Sequence, residues 1–331
     1  MLERAEGANL PPRTVRGSSG LSEPRANVLD MTVTDASEPA ASELARVLSL
    51  SPSRAADFMS CPLLYRFRVV DHLPESPSPA ATRGTVVHAV LERLFDLPAA
   101  ERTLAQAAAL LEPEWERLVT EEPELEQLFA DPDEPDLRTF LDGAVDLLGR
   151  YFELEDPTRL EPAERELLVQ TELESGLLLR GYVDRLDVTA AGDMRVVDYK
   201  TGRAPKAGYE AKALFQMRFY ALVLWRVHGR VPRLLQLLYL GSGEVLRYEP
   251  DEADLLATER KLHALWEAIQ RASDSGDWRP NPSRLCDWCD HQALCPAFGG
   301  TPPPLPLLAV PAVPTSESPE RPSPRTPGDE V

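Results

Sequence analysis

The sequence predicts an α/β fold: a small mixed sheet flanked by helices, with a helical insertion ahead of the sheet. Two observations carry this expectation. Apolar residues keep a helical spacing over much of 51–153, then switch to strand-like runs over 165–200. A helical segment then separates those runs from two more strands, and a long helix follows, which is the interleaving of an α/β domain.

The elements follow in order. Ser51-Pro-Ser53 reads as a helix start, with Ser51 or Ser53 as the cap before residues 54–67. Residues 83–97 place Val87, Val90, Leu91 and Leu94 on one helical face. Further helices are expected near 101–119 and 136–153. Strands are expected at 165–173, 178–188 and 194–200, separated by Glu-Ser-Gly and Ala-Gly-Asp turns. A helix over 209–227, strands at 233–240 and 244–249, and a helix from Asp251 to about 272 complete the order.

The chain has 331 residues, 43% hydrophobic and 27% charged, enough for a sizeable core. No apolar run is long enough to span a membrane, and residues 1–30 lack the apolar stretch of a signal peptide, so a cytoplasmic protein is expected. Residues 1–48 and 299–331 are expected to be disordered extensions, the second rich in proline. Met31 is a possible alternative start. The net charge of −19 argues against a nucleic-acid partner as an average. Eleven of the acidic residues, however, lie between Glu112 and Asp136, a block that can face away from an anionic ligand.

The stretch Val196 to Gly202, VVDYKTG, carries the first chemical signal. In a strand, Asp198 and Lys200 share a face and Tyr199 takes the other. If strands 178–188 and 194–200 form a hairpin, Asp184 comes near Asp198. Two close carboxylates repel, and a divalent cation such as Mg²⁺ or Mn²⁺ relieves the conflict. The bland alternative is a surface ion pair. The cysteines supply the second signal: Cys61 far upstream, then Cys286, Cys289 and Cys295 as C-x₂-C-x₅-C. In a cytosolic chain this suggests a metal more than disulfides, and the spacing suits either zinc or an iron–sulfur cluster.

GYVD at 181–184 followed by DYKTG at 198–202 resembles the PD-(D/E)xK nuclease core, specifically the RecB-type nuclease family. His88 in GTVVHAVLERLF is similar to that family's N-terminal histidine, and Gln216 and Tyr220 in FQMRFYAL to its Q-x-x-x-Y signature. The four cysteines resemble the iron–sulfur staple of a subset of the family. The resemblance covers about residues 49–298. It implies a restriction-endonuclease-like core, with the helical insertion over about 98–160, the cysteine cluster at 286–295, and a metal-dependent deoxyribonuclease activity of exonuclease type in repair or recombination.

The resemblance also implies roles. His88, Asp184 and Asp198 would hold Mg²⁺ or Mn²⁺, Lys200 would position the attacking water, Gln216 and Tyr220 would support the site, and a [4Fe–4S] cluster would join Cys61, Cys286, Cys289 and Cys295. The acidic ligand before Asp184 is ambiguous among Glu166, Glu172 and Glu174, with Glu166 preferred by its distance along the chain. Phosphate contacts are expected from Arg203 and Lys206 beside Lys200, and from Arg54, Arg66, Arg68, Arg83, Arg185, Lys212 and Arg218. No G-x-x-x-x-G-K-[ST] occurs, so any helicase would be a separate partner. The other readings are a non-catalytic DNA-binding subunit on the same fold and a zinc-stapled protein of different activity.

Overall fold

The computed structural model describes residues 49–130, 136–206 and 210–306. The extension expected over 1–48, the part beyond 306 of the extension expected over 299–331, Met31 and part of the acidic block lie outside the described residues.

Six strands form one mixed sheet: β1 (Ser49–Leu50), β2 (Glu164–Glu172), β3 (Leu178–Val188), β4 (Met194–Lys200), β5 (Leu234–Tyr239) and β6 (Glu244–Tyr248). β3 is the hub. β2 runs antiparallel along one of its edges. The other edge is shared: β1 pairs parallel at Leu178–Leu179, and β4 pairs antiparallel from Arg185 to Val188. Between those segments, residues 180–184 have no strand on that edge, and the sheet is forked there. β4 then pairs parallel with β5, and β5 antiparallel with β6.

Helices cover both faces. On one side lie α1 (Pro52–Ser60), the short α2 (Pro62–Tyr65), and later α7 (Ala211–His228) and α8 (Glu252–Ser275). Their core packs Phe219, Leu222 and Leu262 against Val196, Leu235 and Leu237 of the sheet. On the other side lie α3 (Pro79–Leu94), α4 (Leu104–Ala109), α5 (Leu111–Glu121) and α6 (Leu137–Leu154). There Val90, Leu91, Leu148 and Tyr151 pack against Val197, Tyr199 and Leu238. The alternation of β4 thus feeds two cores, with Val196 on one side and Val197 on the other. This is the mixed α/β fold that the sequence pattern predicts.

The local differences have physical causes. The single helix expected over 54–67 is broken at Cys61, whose backbone is extended at φ −160° and ψ 111°. Pro62 disfavours helical geometry at the residue before it and opens a new helix. The helix expected over 101–119 is likewise two, α4 and α5, which meet at Leu110. α3 starts earlier than expected, because Ser78 caps it by accepting from the Ala81 N–H and Pro79 fits the first turn.

Candidate active site

The fork between β3 and β4 sets the first two carboxylates. Backbone pairing stops at Arg185 and Val197, so the next step would place Asp184 opposite Asp198. Instead the Asp184 carboxylate accepts the Tyr199 N–H at 2.6 Å, which satisfies a donor that the ladder has released. Asp198 is buried. Its Oδ1 accepts from Gln216 Nε2 at 2.9 Å, and its Oδ2 lies 2.6 Å from Lys200 Nζ. Asp198 and Lys200 share a face, and Tyr199 turns into the opposite core, as strand geometry requires.

α3 brings His88 to the same place. Its Nδ1 is 3.5 Å from Asp184 Oδ2, and its ring meets Tyr199 edge-on at 5.9 Å. Gly84, one turn earlier, makes this approach possible. A Cβ there would stand 3.2 Å from Thr201 Oγ1, just past the end of β4.

β2 contributes Glu166. Its partners in the β2–β3 ladder are Arg165 with Arg185 and Leu167 with Val183, but Glu166 itself is skipped. Its φ is +44°, an unusual left-handed conformation for a residue with a side chain. His88, Glu166 and Asp184 each place one ligand atom within 4.8 Å of the others. Of the three competing glutamates, Glu166 is therefore the one beside Asp184. Glu172 sits at the far end of β2, opposite Leu178.

The electrostatics show what this crowding costs. Burial, then the Asp184 charge, push the Glu166 carboxyl up to about 7. Burial and Asp184 likewise raise Asp198, with Lys200 opposing them. Burial disfavours a charged His88 ring, but the hydrogen bond and charge of Asp184, aided by Asp198 and Glu166, outweigh it and raise its pKa. Gln216 and Tyr220 occupy one face of α7 near Asp198, and burial with the Asp198 charge raises the Tyr220 phenol. Gly181 gives that ring its room, since a Cβ there would meet it at 2.9 Å. Oxygen ligands with one imidazole nitrogen, converging under mutual repulsion, make a donor set that fits a hard divalent cation.

Asp184, Asp198 and Lys200 open into a cleft of about 710 Å³. Its basic walls are Arg54, Arg68, Arg180 and Lys212. Beyond His88 and Glu166 lies a second cavity of about 430 Å³, lined by Gly84, Thr85, Glu92 and Arg117.

Some expected phosphate contacts are corrected. Arg185 is fully buried and held by Glu155, Tyr199 and Asp187. Arg66 is buried against Asp71 and the Pro303 carbonyl. Arg83 lies over Phe140, and Arg218 donates to Tyr248. The burial of Arg185 and Arg66 overturns their expected phosphate contact, while Arg83 and Arg218 are half-buried in these contacts. Arg203 and Lys206 are exposed beyond β4 and do not line the cleft. The sequence reading overlooked Arg180 and Tyr182, although both share the alternation that puts Asp184 in the cleft.

The four cysteines are unpaired and line one small apolar cavity of about 70 Å³ with Leu63, Phe67 and Phe298. The N–H groups of Asn281 and Ser283 donate to the sulfurs of Cys61 and Cys286 at 3.4 and 3.3 Å. Burial raises the Cys289 thiol, and the thiols of Cys286, Cys61 and Cys295 add to the rise.

A family model described as the PD-(D/E)XK nuclease superfamily matches residues 49–296. The gene 69 protein of Mycobacterium phage D29 is 27% identical over 271 residues, covering 75% of this chain and 96% of that protein. The gene 69 protein of Mycobacterium phage L5 is 28% identical over 136 residues, 40% of this chain and 44% of that one. A crystal structure of an exonuclease candidate from Eubacterium rectale aligns with a TM-score of 0.49 at 15% identity, covering 78% of this chain and 93% of that chain.

Proposed function

Because the chain belongs to the PD-(D/E)XK nuclease superfamily, we propose that it is a Mg²⁺- or Mn²⁺-dependent deoxyribonuclease of the RecB type that works as an exonuclease. The observation that carries this reading is the convergence of His88, Glu166 and Asp184 on one point, beside the Asp198–Lys200 pair, in a cleft with basic walls.

His88, Glu166, Asp184 and Asp198 would hold the cation, and the imidazole nitrogen favours Mn²⁺ over Mg²⁺ in affinity. When bound, the cation supplies Lewis-acid polarisation of the phosphate and lowers the pKa of water. The chain's own residues do the rest. Lys200 orients the water for in-line attack and offsets negative charge that develops on the phosphoryl oxygens. Gln216 fixes the Asp198 carboxylate through its hydrogen bond, and Tyr220 packs behind it. Arg54, Arg68 and Lys212 offer the cleft walls to neighbouring phosphates. Water adds to phosphorus as the bond to the leaving oxygen breaks.

The same reading gives Cys61, Cys286, Cys289 and Cys295 a [4Fe–4S] cluster. Four thiolates also suit tetrahedral zinc, and it is the resemblance to the family's staple that favours a cluster. Its role is structural: it ties α1 to the residues after α8 and so closes a loop around the whole nuclease core. The assignment extends to a role in DNA repair or recombination, with strand separation left to a partner helicase.

The test uses anaerobically purified protein with end-labelled single- and double-stranded DNA, in Mg²⁺, Mn²⁺ or EDTA, beside Lys200→Ala. Metal-dependent cleavage that falls by about a hundred- to a thousandfold in the variant is expected, as for loss of a main charge-stabilising group. If a folded, iron-replete wild type binds DNA without cutting it, the chain is a binding subunit on this fold.

A further inference from the structure

β3 turns three side chains at alternate positions into the cleft: Arg180, Tyr182 and Asp184. At about 3.4 Å per residue, they stand roughly 7 Å apart. Asp184 belongs to the candidate metal group. Arg180 makes no ion pair or hydrogen bond among the described residues. Tyr182 is the unexplained member.

Its exposure is 53%, whereas Tyr65, Tyr151, Tyr199, Tyr220 and Tyr239 are each 7% exposed or less. The Tyr182 ring has no hydrogen bond and no aromatic partner among the described residues. Its cross-strand neighbour on β2 is Leu168, itself 37% exposed, so the ring does not seal a core. A bulky aromatic ring therefore stands in the open wall of the cleft, one alternation from a metal-site carboxylate and one from an unengaged guanidinium.

We propose that Tyr182 is a base-stacking platform that makes the cleft select single-stranded or frayed DNA over intact duplex. Stacking needs the face of a base, and a duplex offers a side chain only base edges and backbone. A nucleotide beside the scissile phosphate can lay its base on Tyr182 only after leaving its own stack. Arg180, on the far side of the ring, receives a neighbouring phosphate. This deepens the nuclease reading and rests on it for the identity of the ligand.

The test reads binding and cleavage separately. Binding uses full-length protein in the Lys200→Ala background with Mn²⁺, and a single-stranded oligonucleotide carrying 2-aminopurine, free or as a blunt duplex. Tyr182→Phe is expected to keep both the fluorescence quench and the affinity. Tyr182→Leu, which retains apolar bulk on the strand, is expected to lose the quench and weaken single-strand binding about tenfold, with duplex affinity changed less than about twofold. Melting curves identify any variant that fails to fold, and Tyr182→Phe is the conservative control. A Tyr182→Leu protein with unaltered quench and single-strand affinity overturns the platform, as does an equal loss on single strand and duplex. Cleavage by the wild type alongside such a result leaves the nuclease reading standing. A Tyr182-dependent quench in a protein whose wild type never cleaves overturns the nuclease reading alone.

Discussion

Glu166 faces Asp184 across β2 and β3 at the one step that the ladder between Arg165 and Leu167 omits, and it does so with a left-handed backbone. The strain turns a strand residue that would otherwise be paired toward its neighbour's charge. Such strain persists only where the surrounding structure enforces it, and it is concentrated at working sites.

This pairing sets a pH dependence. Glu166 is raised from its ordinary 4.5 to about 7, and Asp198 and His88 are also raised. All three bind protons more tightly folded than unfolded, so metal-free stability falls as pH rises. The Glu166 share is lost between about 4.5 and about 7. The His88 share is full below its unfolded value of 6.5 and disappears above its raised folded value. In EDTA, the wild type is expected to melt higher at about pH 5.5 than at about pH 8, and Glu166→Gln to narrow that gap. Mn²⁺ binds the ionised carboxylates, so it should raise the wild-type melting temperature most at the higher pH. Differential scanning fluorimetry over pH, with and without Mn²⁺, decides this. An equal gap in Glu166→Gln removes Glu166 as its source.

Arg185 gives the second prediction. Its side chain is fully buried, bound through two nitrogens to Glu155 at 2.8 and 3.0 Å, and to the Tyr199 hydroxyl at 2.8 Å. Removing one member of such a network leaves charge without its partner. Arg185→Ala is therefore expected to lose about 3–5 kcal/mol of stability. Arg185→Met, with a long apolar chain, should lose less. Denaturant melts measure both. A normally stable Arg185→Ala that binds DNA weakly would restore the phosphate-contact role that its burial contradicts.

That arginine also shows where the sequence stops being readable. Alternation along β3 and β4 was enough to bring Asp184, Asp198 and Lys200 together, and the i, i+4 helical spacing to place Gln216 and Tyr220 on one face of α7. It could not rank Glu166 above Glu172 and Glu174, because the choice depends on a broken pairing and a positive φ, which no side-chain period encodes. It could not separate Arg180 from Arg185 either. One faces the cleft and the other the core, and the two faces of a sheet covered on both sides look alike in sequence. The breaks at Cys61 and Leu110 differ in legibility. Pro62 announces the first directly, at the very next residue, whereas the second is marked only at a distance by Pro113, whose missing N–H and ring disfavour a helix running on through residue 109 but are tolerated in the first turn of α5.

The break at Cys61 matters for the last prediction. Pro62 forces Cys61 out of helical geometry, where its sulfur meets the Asn281 N–H, and the other three cysteines surround the same apolar cavity. With the Cys289 thiol pushed toward neutrality by burial and by the neighbouring thiols, the folded metal-free pocket is unfavourable to its thiolate. A cluster reverses this, because ligation takes the deprotonated form and contributes directly to folding. Anaerobically purified protein is expected to carry about four iron atoms and four labile sulfides per chain. Cys286→Ser should lose most of the iron and lower the melting temperature by several degrees. Because the cavity is built from α1, α2 and the segment after α8, and the carboxylates from β2, β3 and β4, the variant's loss should be one of stability before chemistry. At a temperature where it remains folded, it should retain Mn²⁺-dependent cleavage at a reduced rate. Zinc in place of iron, at about one per chain, would replace the cluster with a single tetrahedral ion. A metal-free protein of undiminished stability would reduce the four cysteines to ordinary core thiols.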